Sequence, residues 1–342
     1  MSDPFNQYKT EFDNHTGAGD ERPTALRVVE DNVAPGSFTG KVALITGGTN
    51  GIGLETAVAL HSTGADVYFT ARDAAKGEKS LKEIKEKSKG TGKLDVIPLD
   101  LDSLESVRKA AKIFLEKSNK LNILINNAGI MATPYSQTAD GFERQFGVNH
   151  LAHFLLTALL LPTLEASSTA NFNSRVVNVS SSSHRYSKVD FDNYNYTKET
   201  YERHQAYGQS KTANIWTANY IDRVYGPRGV HAFSLHPGGI FSGLTAYLEP
   251  EMVAAFKADP SVLVDMLTPE QGAATSVWAA VGKVLEGKGG LYLANCTIAP
   301  PENPDEMKSV QSPRAAPWVK GETEAENKLW ELSAKLVGEN PQ

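Results

Sequence analysis

Lys41-Val42-Ala43-Leu44-Ile45-Thr46-Gly47-Gly48-Thr49-Asn50-Gly51-Ile52-Gly53-Leu54-Glu55 decides how the rest of the chain is read. Its first part is an apolar run too short for a helix. It enters a glycine-rich turn that opens onto Thr56-Ala57-Val58-Ala59-Leu60, whose composition suits a helix. Strand, loop and helix in that order suit a dinucleotide. Glycine lets main-chain N–H groups approach a diphosphate without a Cβ in the way, and the free amides of a helix start favour negative charge. An ordinary tight turn is the competing reading. Three glycines at the spacing Gly47, Gly51, Gly53, directly after a buried-type strand, go beyond what such a turn requires.

Working outward, short apolar strands are predicted at 66–70, 94–99, 121–125, 174–182 and 290–295, with a sixth of the seven strands ending just before Leu235. Helical patterns of 10 to 15 residues separate the early ones, and strands that are apolar throughout argue for a parallel sheet covered on both faces. The expected architecture is α/β: a single doubly wound domain with a mostly parallel seven-stranded sheet and helices on both faces, over residues 41–298. A polar N-terminal extension (1–40) and a C-terminal extension (299–342) with a short helix around 328–336 flank it. Ligands of such sheets bind beyond the carboxyl ends of the strands. That rule selects Gly47, Gly51 and Gly53, then Ala71-Arg72, Asp100-Leu101 and Asn126-Asn127-Ala128-Gly129. The Lys- and Glu-dense stretch 76–89 reads as a solvated amphipathic helix and is assigned no function.

Composition narrows the function classes. The 342 residues carry a net charge of -6, which argues against a nucleic-acid partner, because such partners usually demand a basic face. Cys296 is the sole cysteine, which excludes an internal disulfide and a cysteine metal cluster and fits a reducing, cytoplasmic compartment. Residues 1–40 have neither a basic start nor an apolar core, so neither a secretory signal nor a membrane anchor is expected there. The longest apolar segment, 151–161, falls short of the roughly 20 residues of a membrane span and reads as a buried helix. His150 and His153 on that helix lack a third ligand at helical spacing, so no metal is expected and packing or hydrogen bonding accounts for them. Asn149 beside them needs a partner for its amide, either backbone or a functional water.

Tyr207 and Lys211 are four apart on a predicted helix and share one face. A tyrosine hydroxyl titrates near 10, and a nearby ammonium favours the phenolate, lowering that value by about 1 to 3 units. A surface Tyr–Lys pair is the bland alternative. The serine-tipped strand Ser180-Ser181-Ser182 just upstream weighs against it, since a serine hydroxyl is a natural second donor to a carbonyl oxygen.

From about 41 to 290 the chain resembles the short-chain dehydrogenases/reductases, a Rossmann-type family, and within them the retinol dehydrogenase-like branch. TGGTNGIG, ARDAAKGE, LDL, NNAG, VNHLAHF, VVNVSS, YGQSK and HPGG fall in the family's order. The resemblance implies a catalytic tetrad of Asn149, Ser181, Tyr207 and Lys211. Tyr207 would pass the proton, Ser181 hold the substrate oxygen, Lys211 lower the tyrosine pKa and grip the nicotinamide ribose, and Asn149 anchor a water in the relay. It implies cofactor contacts at Gly47, Thr49, Asn50, Gly51, Ile52, Gly53, Asp100, Leu101, Asn127, Ala128 and Gly129. Around HPGG it adds Pro237, Gly238, Ile240 and Ser242, the last standing where the family often has threonine.

Ala71 stands where NAD-preferring members tend to carry aspartate. Arg72 offers a permanently charged fork suited to a 2'-phosphate, so NADP(H) is the expected cofactor. Asp73 reads as the cap of the following helix. The resemblance makes 241–268 a substrate lid, apolar enough for a lipophilic carbonyl compound or alcohol, although a packing helix or oligomer contact reads equally well. A homodimer or homotetramer is usual in the family. Its membrane-bound retinol dehydrogenases have an apolar N-terminal anchor that residues 1–40 do not match. A carbonyl reductase or alcohol dehydrogenase is therefore expected, the alternatives being a cofactor-sensing protein without catalysis and an epimerase or dehydratase using the same site.

Overall fold

Every residue of β1 (Val42–Ile45) is buried, and the strand divides its side chains between two cores: Val42 and Leu44 enter one, Ala43 and Ile45 the other. A strand apolar on both faces is stable only between two covering layers. The structure, a computed structural model, describes residues 3–303 and 312–339. The strands that follow are β2 (Asp66–Ala71), β3 (Leu94–Pro98), β4 (Ile123–Asn126), β5 (Ser174–Val179), β6 (Val230–His236), β7 (Leu291–Ala294) and β8 (Thr297–Ile298). They form one sheet in the order β3-β2-β1-β4-β5-β6-β7-β8, in which only the β7–β8 pair is antiparallel.

The main helices are α1 (Ala25–Asn32), α2 (Gly51–Ser62), α3 (Ala74–Ser88), α4 (Leu104–Lys117), α5 (Ala152–Ser167), α6 (Arg203–Tyr225), α7 (Pro250–Ala258), α8 (Ala274–Val281) and α9 (Thr323–Val337). One core gathers side chains of α4, α5, α6 and α9, the other those of α1, α2, α3 and α8. Each sheet face is thereby closed. The helical stretch 144–167 has the length and composition to cross a membrane, but its apolar window is 83% buried within the fold. Core packing accounts for it.

Strand order reverses between β1 and β4, so the connections leave the sheet in opposite directions there and open a crevice above their carboxyl ends. Local signals fix the flanking helices. Asp73 accepts Lys76 N–H and caps α3, and Ser103 accepts Ser106 N–H and caps α4.

Four expectations need correction. The sheet has eight strands rather than seven. Asn295 and Cys296, at φ +53° and +52°, turn β7 tightly back into the two-residue β8, which is too short to leave a pattern in sequence. The apolar pattern over 271–285 reads in sequence as one helix, which the structure splits into Pro269–Gly272, α8 and a short 3-10 turn, Lys283–Leu285. Segment 3–40 packs on the fold rather than standing apart from it. Val28 is fully buried, and Arg22, 5% exposed, pairs with Asp20 and donates to the carbonyls of Asp265 and Met266 at 3.2 and 2.7 Å. Few apolar residues, widely spaced, made that segment read as merely polar. The C-terminal helix is also longer than expected, spanning Thr323–Val337, and it inserts Leu329 and Trp330 into the core.

Candidate active site

The crevice holds a cavity of about 560 Å³ whose floor is the loop between β1 and α2. Gly47 and Gly51 have φ of +71° and +52°, a region costly for other residues. A Cβ on Gly53 would lie 2.2 Å from the Gly47 carbonyl oxygen and 2.5 Å from Asn127 Nδ2, so no larger residue fits. Neighbours hold the loop in place. Gly47 N–H donates to Thr70 Oγ1 (3.1 Å), Gly48 N–H to the Thr70 carbonyl (3.2 Å), and Ser80 Oγ to the Thr49 carbonyl (3.2 Å). At the adjacent strand tip, Asn127 and Ala128 N–H both donate to Thr46 Oγ1, at 2.9 and 3.0 Å. His153 Nδ1 faces the Asn149 carbonyl (3.0 Å) and therefore carries the proton. Its Nε2 then accepts the Thr46 hydroxyl (2.9 Å). Burial pushes His153 down to about 4, which keeps the ring neutral. His150, the other member of the pair, bonds Ser333 Oγ at 2.7 Å.

Tyr207 and Lys211 sit on α6, buried to 2% and 3% exposure, and both line the cavity. Lys211 Nζ lies 5.5 Å from the Tyr207 ring centroid and donates to the Val179 carbonyl at 3.1 Å. Ser181, just past β5, lines the same cavity, and its hydroxyl pulls the Tyr207 pKa down. Its Oγ accepts Ser183 N–H at 3.1 Å. Ser180 Oγ instead donates to the Lys211 carbonyl at 2.8 Å, so of the neighbouring serines Ser181 is the one that acts on the tyrosine.

The expected lowering of the tyrosine pKa is corrected by the geometry. Burial pushes Tyr207 up to about 12, with the Ser181 hydrogen bond pulling the other way, and burial pushes Lys211 down to about 8. With both groups out of water, loss of hydration outweighs their mutual influence and shifts each pKa toward its neutral form.

Asn149 lies in a π turn, Gly147–Leu151, fully buried. Its Oδ1 accepts Ile130 N–H (2.9 Å), and its Nδ2 donates to the Ile130 carbonyl and to Ser210 Oγ, both at 3.0 Å. The amide is satisfied by protein atoms and pins the chain that follows β4. Asn149 is the one tetrad candidate that does not line the cavity.

Every residue singled out as a cofactor contact reaches the lining: Gly47, Thr49, Asn50, Gly51, Ile52, Gly53, Arg72, Asp100, Leu101, Asn127, Ala128, Gly129, Pro237, Gly238, Ile240 and Ser242, with Tyr207 and Lys211. Lys76 joins them although no role was expected of it. It is the third residue of α3, and Arg72 precedes the Asp73 cap outside that helix, so no helical spacing linked the two. Thr46 and Thr70, which anchor the loop through their hydroxyls, also went unassigned. Beyond Ser181 and Tyr207 the cavity is lined by Ile130, Met131, Val148 and Leu244.

Residues 41–253 match the family described as short chain dehydrogenase. The chain is 46% identical over 332 residues to the short-chain dehydrogenase/reductase prx1 of Penicillium rubens, covering 97% of this chain and 95% of that one. It is 40% identical over 300 residues to retinol dehydrogenase 12 of Homo sapiens, covering 87% of each. Among solved structures, the Pseudomonas aeruginosa RhlG/NADP active-site complex superposes with a TM-score of 0.61 at 27% identity, covering 77% of this chain and 97% of that one.

Proposed function

This chain belongs to the short-chain dehydrogenase family, in its retinol dehydrogenase-like branch, and from that premise we propose that it is an NADP(H)-dependent reductase or dehydrogenase acting on a lipophilic carbonyl compound or alcohol. The observation that carries the reading is that Ser181, just past β5, and the buried Tyr207 and Lys211, from α6, line one cavity together with the glycine loop. Two hydroxyls converging from a strand tip and a helix make a pair of donors for one carbonyl oxygen.

The residues fit a nicotinamide dinucleotide. Gly53 leaves no room for a Cβ, and the first residues of α2 border the cavity with their N–H groups unpaired within the helix. Arg72 and Lys76 border the same cavity past the tip of β2 and supply two positive charges for a 2'-phosphate, which supports NADP(H) over NAD(H). When bound, the nicotinamide supplies or takes up the hydride. In the reducing direction Ser181 donates a hydrogen bond to the substrate carbonyl oxygen, and Tyr207 delivers its phenolic proton to that oxygen as it gains charge. A hydroxyl whose pKa is held high stays protonated at neutral pH, which suits a proton donor. Lys211, still mostly cationic at pH 7, stabilises the phenolate left behind and is placed to bond the ribose. Ile130, Met131, Val148 and Leu244, all lining the cavity, favour an apolar substrate body.

A panel of aliphatic and aromatic aldehydes and ketones, followed by NADPH absorbance, tests the reading. Oxidation of NADPH by at least one lipophilic carbonyl is expected. No turnover in either direction with NADP(H), together with no NADPH binding, overturns it.

A further inference from the structure

The C-terminal segment past residue 312 is joined to Ser181 by one side chain. His184 lies on the short helix Ser182–Tyr186 and is fully buried. Its Nε2 is 3.0 Å from the backbone nitrogen of Ala316, and its Nδ1 is 2.7 Å from the carbonyl oxygen of Ser181. An N–H faces Nε2, so Nε2 accepts. Nδ1 must then carry the ring's proton and donate it to Ser181. The Tyr292 hydroxyl also donates to that carbonyl at 3.3 Å, and His184 N–H does so at 3.1 Å. Burial pushes His184 down to about 4, so the ring is neutral over the working pH range and its tautomer is locked.

The far side of this contact is rigid as well. Ala315 N–H donates to the Pro300 carbonyl and Glu302 N–H to the Ala315 carbonyl, both at 2.8 Å. The next residues dock on α6, the helix of Tyr207 and Lys211. Trp216 Nε1 donates to the Trp318 carbonyl and Asn219 Nδ2 to the Val319 carbonyl, each at 2.8 Å. The segment thus grips the tyrosine's helix and, through His184, the serine's backbone, so the two hydroxyls are held relative to one another from outside the sheet.

We propose that His184 is a positioning residue for the reaction: it holds the Ser181 main chain through Nδ1–H, and the C-terminal segment, through Ala316 N–H, fixes which ring nitrogen carries that proton. The proposal rests on the functional reading above. The serine hydroxyl hangs from the backbone that His184 holds, and a misplacement of about 1 Å at a reacting group can cost about 100-fold.

The test separates the two ring nitrogens. An asparagine amide nitrogen falls near the place of Nδ1, whereas a glutamine amide reaches the place of Nε2. His184→Asn therefore keeps the donor to Ser181, and His184→Gln keeps only a partner for Ala316. With NADPH and decanal as probe, kcat is expected to stay within about threefold of wild type in His184→Asn and to fall about 10- to 100-fold in His184→Gln, with NADPH affinity unchanged in both. Equal kcat in the two variants, or losses that merely follow thermal stability, overturn it. Independently of turnover, nitrogen-15 NMR of His184 should show the Nδ1–H form without titration between pH 5.5 and 8. The Ser181 carbonyl carbon-13 shift should move in His184→Gln and hold in His184→Asn. An Nε2–H tautomer overturns the positioning proposal, while a correct tautomer with no wild-type turnover of any carbonyl overturns the functional reading alone.

Discussion

The phosphate end of the cleft and segment 241–268, the proposed lid, are built on opposite terms. At the phosphate end a Cβ on Gly48 would lie 2.6 Å from Phe69 Cβ, one on Gly47 2.9 Å from Ala128 Cβ, and one on Gly53 2.2 Å from a backbone oxygen. Main chain packs on main chain there, and hydroxyls of Thr46 and Thr70 occupy the gaps. The lid helix α7 buries none of its residues, and Tyr247, Met252 and Phe256 are 43%, 40% and 36% exposed. Close packing leaves one conformation open to the phosphate loop, whereas few buried contacts leave the lid inexpensive to deform. The one can hold a constant ligand, and the other can change its occupant without disturbing the fold.

The largest effect is expected within the cavity. Tyr207→Phe keeps the ring and removes the proton, so turnover should fall about 100- to 10,000-fold while NADPH titration stays near wild type. A variant with half the activity breaks the assignment. Gly53→Ala comes next. Overpacking costs about 1–3 kcal/mol, and the obstacle here is backbone, so a clear drop in Tm and at least about tenfold weaker NADPH binding are expected. Unchanged binding would show that the loop yields as readily as the lid.

Arg72→Ala and Lys76→Ala probe the outer rim of the phosphate end. Each should raise the KM for NADPH about tenfold, a loss near 1.4 kcal/mol, with much less change for NADH. Equal effects on both cofactors would mean that neither residue reads a 2'-phosphate.

A smaller, pH-dependent effect is expected away from the cavity. Glu143 is buried with its carboxyl oxygens facing the N–H groups of Gln145 and Phe146, and burial pushes it up to about 7. The folded state therefore holds this proton more tightly than the unfolded chain, where a carboxyl titrates near 4.5. Its contribution is full below that value and is lost as pH rises to about 7. Thermal melts across that window should show the decline, and Glu143→Gln should flatten it. The smallest effect belongs to the lid. Phe256→Ala should change stability by no more than about 0.5 kcal/mol while altering KM across a series of aldehyde chain lengths. A large loss of Tm would show that the lid is packed like the phosphate loop.

The features legible in the residues alone are those that local chemistry controls. The glycine spacing after an apolar run, the aspartate that caps α3, the polar tips of successive strands and the four-residue step from Tyr207 to Lys211 each act over a few residues. They are legible because strand and helix periods put those residues where they must be. The tertiary structure decided the rest. Lys76 looked like any lysine of a solvated helix until the β2–α3 turn brought it to the cleft rim beside Arg72. Asn149 had two open readings until Ile130 and Ser210 supplied its partners from 19 and 61 residues away. The direction of the Tyr207 shift depended on how completely water is excluded, which spacing does not express. Both chain ends read as extensions, the N-terminal one polar and the C-terminal one with a short helix, because each carries too few apolar residues to make a core of its own. Packed on a sheet already assembled, those few suffice, since burying surface against an existing core needs no core of their own.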